Sequence, residues 1–295
     1  VFMKIIDCSM YFDEDMMLDV RLNTLDKYVS HFIICEATYN HNGVQKKLNF
    51  DINKFVKFKD KITYLALDDQ PNNLRTLSSK DTELKRNSKV LDNALLRENY
   101  QRNFVLKHLE KISEEDLIII NDVDEIPNLN GFKYNNKITI FKQKLFYYKF
   151  NLLYPDFTWV GSKICKKKHL ISPQWLRNIK SRKYPLWRLD ALFSKKKYYD
   201  VGFVNNGGWH FTNIKNAEAI DFKMRNFLHH LEYEYSGMNT KDIKKNISEK
   251  KVIYNYFADS KEEKQNNGGK LEKLDLSELP DYISKNSNKF QEWID

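Results

Sequence analysis

The period of the apolar positions changes repeatedly within the first third of the chain. "MKIIDCSMYF" (residues 3–12) reads as a strand, Leu18, Leu22, Leu25 and Val29 then recur at helical spacing, and "HFIICEA" (31–37) is a short apolar run. Strand, helix, strand opens a βαβ unit. "KITYLALDD" (61–69) is a further apolar run ending in acids, and the polar stretch 68–90 predicts a long mobile loop. Leu96, Tyr100, Phe104 and Leu109 return to helical spacing over 93–112, and "SEED" (113–116) closes that helix ahead of "LIII" (117–120). An all-apolar strand of this kind suits a parallel sheet covered on both faces.

Beyond that strand the pattern is more alternating and more aromatic. "KITIFKQKLFYYKFNLLY" (137–154) and "KYYDVGFVNNGGWHF" (197–211) predict antiparallel or mixed strands, and a helix is expected over 216–235. A Lys/Asn/Glu-rich region follows, with "SKEEKQNNGGK" (260–270) as a linker before the terminal "LPDYISKNSNKFQEWID". The expected organisation is an α/β catalytic region, 1–235, with a helical extension, 236–295, packed on it as one structural unit.

Composition narrows the class. With 41% apolar and 14% aromatic residues over 295 positions, the chain can bury a real core, which excludes a disordered or collagen-like protein. No apolar run approaches the roughly 20 residues a membrane-spanning helix needs, and the N-terminus lacks a signal pattern, so a cytoplasmic protein starting at Met3 is expected. Cys8, Cys35 and Cys165 have no CxxC spacing and predict buried thiols. The formal charge of +9 is concentrated between 163 and 197, in "SKICKKKHL", "RNIKSRKY" and "SKKKYY". Such a local field serves a nucleotide diphosphate, an anionic polymer, or solubility alone.

The candidate chemistry starts at "DLIIINDVDEIP" (116–127). In an extended chain Asp122 and Asp124 share a face while Val123 turns inward, and ligands of open α/β sheets bind outside the carboxyl ends of the strands. Carboxylates suit Mn²⁺ or Mg²⁺, held by one or two acids plus substrate phosphates. The competing reading has Asp122 capping a turn and Glu125 starting a helix. In "NNGGWHFTN" (205–213), paired glycines admit a ligand close to the backbone, Trp209 offers a stacking face, and His210 is a third metal ligand or phosphate donor. Its competing reading is a hairpin turn with Trp209 in the core. In "LRENYQRN" (96–103), Glu98 and Arg102 make an i,i+4 pair, and Arg102 is also a candidate to face the ligand. Lys223, in "AIDFKMRNFLHHLEYE" (219–234), is placed to meet a leaving diphosphate, among Ile220, Met224, Phe227 and Leu231 as packing positions.

Taken in order, "DCSMYFDEDMMLDVRLNTLDKYVSHFIICEA", "RENYQRN", "NDVDEIP" and "GGWHFTN" followed by "IDFK" resemble glycosyltransferase family 17, the group that includes the bisecting β-1,4-N-acetylglucosaminyltransferases. The resemblance implies a GT-A-like nucleotide-diphospho-sugar transferase fold, a Rossmann-like mixed sheet flanked by helices. It also implies a UDP-sugar donor, UDP-GlcNAc in characterised members, a glycan or other hydroxyl acceptor, a divalent metal and inversion at the anomeric carbon. Without an anchor, the chain looks like a microbial or viral member. On that footing Asp124, with Asp122 or Glu125 and with His210, is expected to hold the metal, Asp122 also to reach the ribose, and Glu36 to contact the nucleoside. Asp190, in "LWRLDALF", is the expected base, with Glu218 and then Asp156 behind it. Two other readings share these features: a non-catalytic polyanion- or nucleic-acid-binding protein using 163–197, and a metal-dependent nucleotide-sugar hydrolase. No nucleic-acid-binding module is recognisable, so no nucleic-acid partner is expected.

Overall fold

In the computed structural model, which describes residues 3–228, 230–253 and 269–295, the chain builds two sheets. The predicted linker 260–270 lies almost wholly outside the described residues. The first elements are β1 (Ile5–Met10), α1 (Asp15–Leu25), β2 (His31–Ala37), β3 (Ile62–Leu67), α2 (Glu83–Phe104), α3 (Leu106–Leu109) and β4 (Leu117–Asp122). Then come β5 (Glu125–Pro127), β6 (Ile138–Phe141), β7 (Gln143–Tyr147), β8 (Leu152–Trp159), β9 (Lys163–Lys166) and α4 (Pro173–Arg177). They are followed by β10 (Val201–Val204), β11 (Gly208–Thr212), α5 (Ala217–Asn226), α6 (His230–Tyr235), α7 (Thr240–Ser248) and β12 (Glu272–Lys273).

The larger sheet runs β10-β6-β9-β4-β1-β2-β3, and the smaller one β12-β8-β7-β11-β5. Side chains alternate across the pleat, so the central strands feed two cores. Ile6, Cys8, Ile33, Cys35, Ile118 and Ile120 pack to one side with Trp175 and Leu176 of α4. Phe32, Ile34, Leu117 and Ile119 pack to the other, under Leu18, Leu22 and Leu25 of α1. The sheet is therefore covered on both faces, with β1, β2, β3 and β4 mutually parallel and β9 antiparallel to β4 and β6. This is an α/β fold with a Rossmann-like mixed sheet flanked by helices. All three cysteines are buried free thiols.

From β1 the chain moves outward through β2 and β3, then returns to place β4 on the opposite side of β1. Met10 and Asp122 lie opposite each other at the carboxyl edge, at the point where strand order reverses. Leu279, Ile283 and Phe290 near the C-terminus are buried in the same core as α1, and β12 pairs with β8.

Three elements differ from expectation. Helix α2 starts ten residues early, where the Thr82 side chain accepts from Lys85 N, and shortens the predicted loop to about 68–81; its exposed first turns show no apolar stripe. The stretch 137–154 breaks after Phe141 and at Tyr148, which has a φ of +64°, so β6 joins the larger sheet and β7 the smaller. The helix expected over 216–235 ends at Phe227, whose backbone is extended, and restarts at His230.

Candidate active site

The chain between Asp122 and Glu125 is a tight turn, not the extended segment expected, and a buried polar network holds it from below. Arg21 of α1 is fully buried and forks onto Asp7 of β1, with Nε and Nη2 at 2.8 and 2.6 Å from the two carboxylate oxygens. Its Nη1 donates to the backbone oxygens of Asp122, Val123 and Glu125 at 3.3, 3.3 and 2.7 Å. Asn121 donates to Asp7 and to Cys8 O, and the Ser162 hydroxyl donates to Asn121 Oδ1. The carbonyls on the inner side of the turn are thus satisfied.

Glu125 is also fully buried and starts a strand, not a helix. It accepts from both terminal nitrogens of Arg177 at 2.6 Å, from Trp159 Nε1 at 2.5 Å and from Asp122 N at 3.0 Å. Its oxygens have no capacity left for a metal. Gly161 makes the room: a Cβ there would lie 1.9 Å from Glu125 Oε1. Gly208, with a φ of +127°, lets β11 close on β5, since a side chain would collide with Ile126 O.

The two aspartates differ in how they are held. Asp122 is clamped by Arg102 Nη2 at 3.1 Å and Arg177 Nη2 at 2.7 Å. Burial raises its pKa, but the two guanidiniums outweigh that and hold it well below the usual carboxylate range. Asp124 is met only at a distance, by His210 Nε2 at 3.5 Å and Lys223 Nζ at 3.7 Å. Burial pushes it up, while His210 and Lys223 hold it below its ordinary value. The His210 ring lies on Trp159, centroids 4.3 Å apart, and its buried Nδ1 has no hydrogen-bond partner. Asn213, held at a φ of +55°, buries both polar atoms of its side chain without a partner.

These groups face a cavity of about 450 Å³, lined by Met10, Tyr11 and Phe12 after β1, by Ala37, Tyr39, Asn40 and His41 after β2, and by Asp122, Asp124, Arg177, His210, Asn213 and Lys223. A second cavity of about 350 Å³ adjoins it, and Glu14, Asp124, Asn213 and Lys223 line both. Glu14 has no ion-pair partner among the described residues, and burial raises its pKa against the pull of Lys215 and Lys223.

Several expected site residues lie elsewhere. Glu36 is fully buried and lines neither cavity; Lys46, Asn49 N, Phe50 N and the Tyr64 hydroxyl occupy its oxygens, so it clamps the 46–50 segment to β2. Arg102 spends its two terminal nitrogens on Glu98, Gln174 and Asp122, its buried Nε having no partner, and so orients Asp122 from outside the cavity. Trp209 alternates away from His210 on β11, packs on the core and donates to Glu278 O. Trp159 supplies the aromatic face instead. Asp190 stands in solvent on a tip outside both cavities, paired with Arg188 and Lys197. Glu218 is exposed and paired with Lys244, and Asp156 is exposed on β8. No three His, Cys, Asp or Glu side chains among the described residues are grouped to hold a metal, so the three-ligand expectation reduces to the facing pair Asp124 and His210. Sequence reasoning missed Arg21, Arg177, Trp159, Asn213 and Glu14.

The family model described as Glycosyltransferase family 17 matches residues 2–294. No curated protein matches the chain. Among solved structures, the chain is similar to the galactosyltransferase LgtC in complex with donor and acceptor sugar analogs, at 12% identity and a TM-score of 0.30 over 69% of this chain and 73% of that one. It is similar at the same identity and score to glucosyl-3-phosphoglycerate synthase from Mycobacterium tuberculosis in complex with Mn²⁺, uridine diphosphate and phosphoglyceric acid, over 79% of this chain and 78% of that one.

Proposed function

The chain belongs to glycosyltransferase family 17, and from that premise we propose that it moves a sugar, N-acetylglucosamine first among the candidates, from a UDP-sugar to a glycan or other hydroxyl acceptor with inversion at the anomeric carbon. The observation that carries the reading is the wall common to the two cavities. Asp124, Asn213, Lys223 and Glu14 meet there, the Asn213 amide without a partner and Glu14 held through one oxygen by Phe12 N and Asp13 N, between a space of about 450 Å³ and one of about 350 Å³. Two adjoining spaces separated by reactive polar groups suit a two-substrate transfer: the donor in the larger, its nucleoside between the ends of β1 and β2, and the acceptor in the smaller.

The donor set fits a divalent cation. A carboxylate and an imidazole facing each other at 3.5 Å suit Mn²⁺ better than the oxygen-seeking Mg²⁺, and two protein ligands leave positions for diphosphate oxygens. Asp124 and His210 would hold the ion, which when bound supplies neutralisation of the charge that develops on the departing diphosphate. Lys223 adds a second positive charge on the same side. Asp122, locked by two guanidiniums, keeps a fixed negative charge at the cavity edge, where it would accept from a ribose hydroxyl.

In a single displacement the acceptor oxygen bonds to the anomeric carbon as the bond to the diphosphate oxygen breaks, and the acceptor proton passes to a base. Asp190 is outside both cavities, so Glu14 takes that role: it lines both spaces and has a raised pKa.

Thermal shift with UDP, GDP and CMP, each with and without Mn²⁺, tests the donor reading; a metal-dependent rise with UDP is expected, and no such rise with any nucleotide overturns it. Product analysis with and without glycan acceptors then separates transfer from hydrolysis, which would release free sugar at the same rate in both.

A further inference from the structure

Residues 180–197 form a tip beyond α4 whose chemistry the reaction does not use. Within 186–193, five large apolar side chains stand in solvent: Leu186 is 83% exposed, Trp187 75%, Leu189 66%, Leu192 63% and Phe193 89%. The segment "YPLWRLDALF" has the composition of a core, yet only Ala191 in it is buried. The tip is built, not loose. Trp175 Nε1 donates to Lys195 O at 2.6 Å, Lys180 N to Lys196 O at 3.0 Å, the Tyr199 hydroxyl to Arg188 O, and Tyr198 packs edge-on to Trp175.

Cations flank the apolar group in the chain on both sides. Lys180, Arg182, Lys183, Lys195 and Lys196 are exposed and have no carboxylate partner among the described residues, while Arg188 and Lys197 share Asp190, the one acid in 180–197. The earlier basic run is different, because Lys166, Lys167 and Lys168 are paired with Glu114 and Glu115.

We infer that this tip docks on an anionic lipid surface, with Leu186, Trp187 and Phe193 entering the headgroup layer and the unpaired lysines meeting lipid phosphates. Exposed aromatic and aliphatic side chains flanked by unpaired cations match the chemistry of an interfacial anchor. A second copy of the chain is a poor occupant, since a two-fold contact would set this cationic rim against itself. A single-stranded nucleic acid would use the cations and the rings but leave three leucines in water. The inference is independent of the donor and the reaction proposed above.

Co-sedimentation of the full chain with phosphatidylcholine vesicles, with and without phosphatidylglycerol, is the test. Binding to the mixed vesicles that weakens with salt is expected, with little binding to phosphatidylcholine alone. Lys195→Glu with Lys196→Glu should lower partitioning at least about fivefold per residue, and Leu186→Ser with Phe193→Ser about tenfold. All four positions are exposed, so melting temperatures should stay at the parent value. Parent protein that ignores mixed vesicles overturns the inference, and so does a Leu186→Ser/Phe193→Ser variant that binds like the parent. A parent dimer by light scattering that this variant dissolves would assign the tip to self-association instead.

Discussion

The floor and the wall of the cavity are built from the same residue types to opposite ends. On the floor, the buried Asp7, Arg21, Asn121, Glu125 and Ser162 satisfy one another at hydrogen-bond distance, and Arg177 closes the network at the cavity edge. On the wall, Asp124 stands 3.5 Å from His210 and 3.7 Å from Lys223, and His210 Nδ1 and the Asn213 amide have no partner. A saturated network fixes geometry but has nothing left to offer a ligand; an unsaturated one has binding capacity but cannot hold its own shape. The wall borrows its rigidity from the floor through the 122–125 turn.

The most severe way to break this division is from beneath. Arg21→Met removes the counter-ion of the buried Asp7, leaving it only the Asn121 amide, and takes a donor from three turn carbonyls; it should cost about 3–5 kcal/mol in urea unfolding. A loss under 1 kcal/mol would mean the floor is not a unit.

Lys163 probes the floor by pH. Its ammonium is buried under α4, donating to Arg177 O and Ile179 O, and burial, with Arg177 beside it, brings its pKa down to about 7. The unfolded chain then holds a proton that the folded chain lacks between about pH 7 and the ordinary lysine value. Stability should therefore rise with pH across that window, by no more than about 1.4 kcal/mol per unit from this group. Lys163→Met should remove that slope.

The wall responds in activity, not stability. Asp124→Asn should lower turnover by about 10²–10³-fold while the melting temperature changes little; a large fall in melting temperature would move Asp124 into the floor. Glu14→Gln sharpens the point further. If Glu14 is the base, the parent rate rises with pH through a midpoint above the ordinary carboxylate range, and Glu14→Gln flattens that limb and lowers kcat by about 10²-fold or more, with KM kept. A raised carboxylate pKa costs stability above the ordinary value, so the same variant should unfold slightly later at neutral pH.

The division also explains what was legible beforehand. β1, α1, β2 and β4 could be read because long apolar periods alternate there, whereas β5 to β9 are three- to eight-residue strands that trade sheets across single breaks. Asp122, Asp124, His210 and Lys223 stood out through spacing and neighbours. Their supports did not, since Arg177 comes 52 residues after Glu125, and Arg21 about a hundred before the turn it holds. A trace was present: an acid inside "IIDC" and an arginine inside the Leu18–Leu22 stripe are both out of pattern on consecutive elements. Asp190 misled because an apolar run reads as core, and here it faces solvent.

The long reach of Arg177 sets the order in which the protein can come into being. Glu125 is made well before the residues that enclose it, Trp159, Gly161 and β11, and the cation that neutralises it arrives only with α4. A growing chain therefore carries an acidic turn that resists closure until residue 177 emerges, and the contacts that complete it are among the slower kind to form. A fragment ending before α4 should keep its first βαβ unit and lack a settled turn.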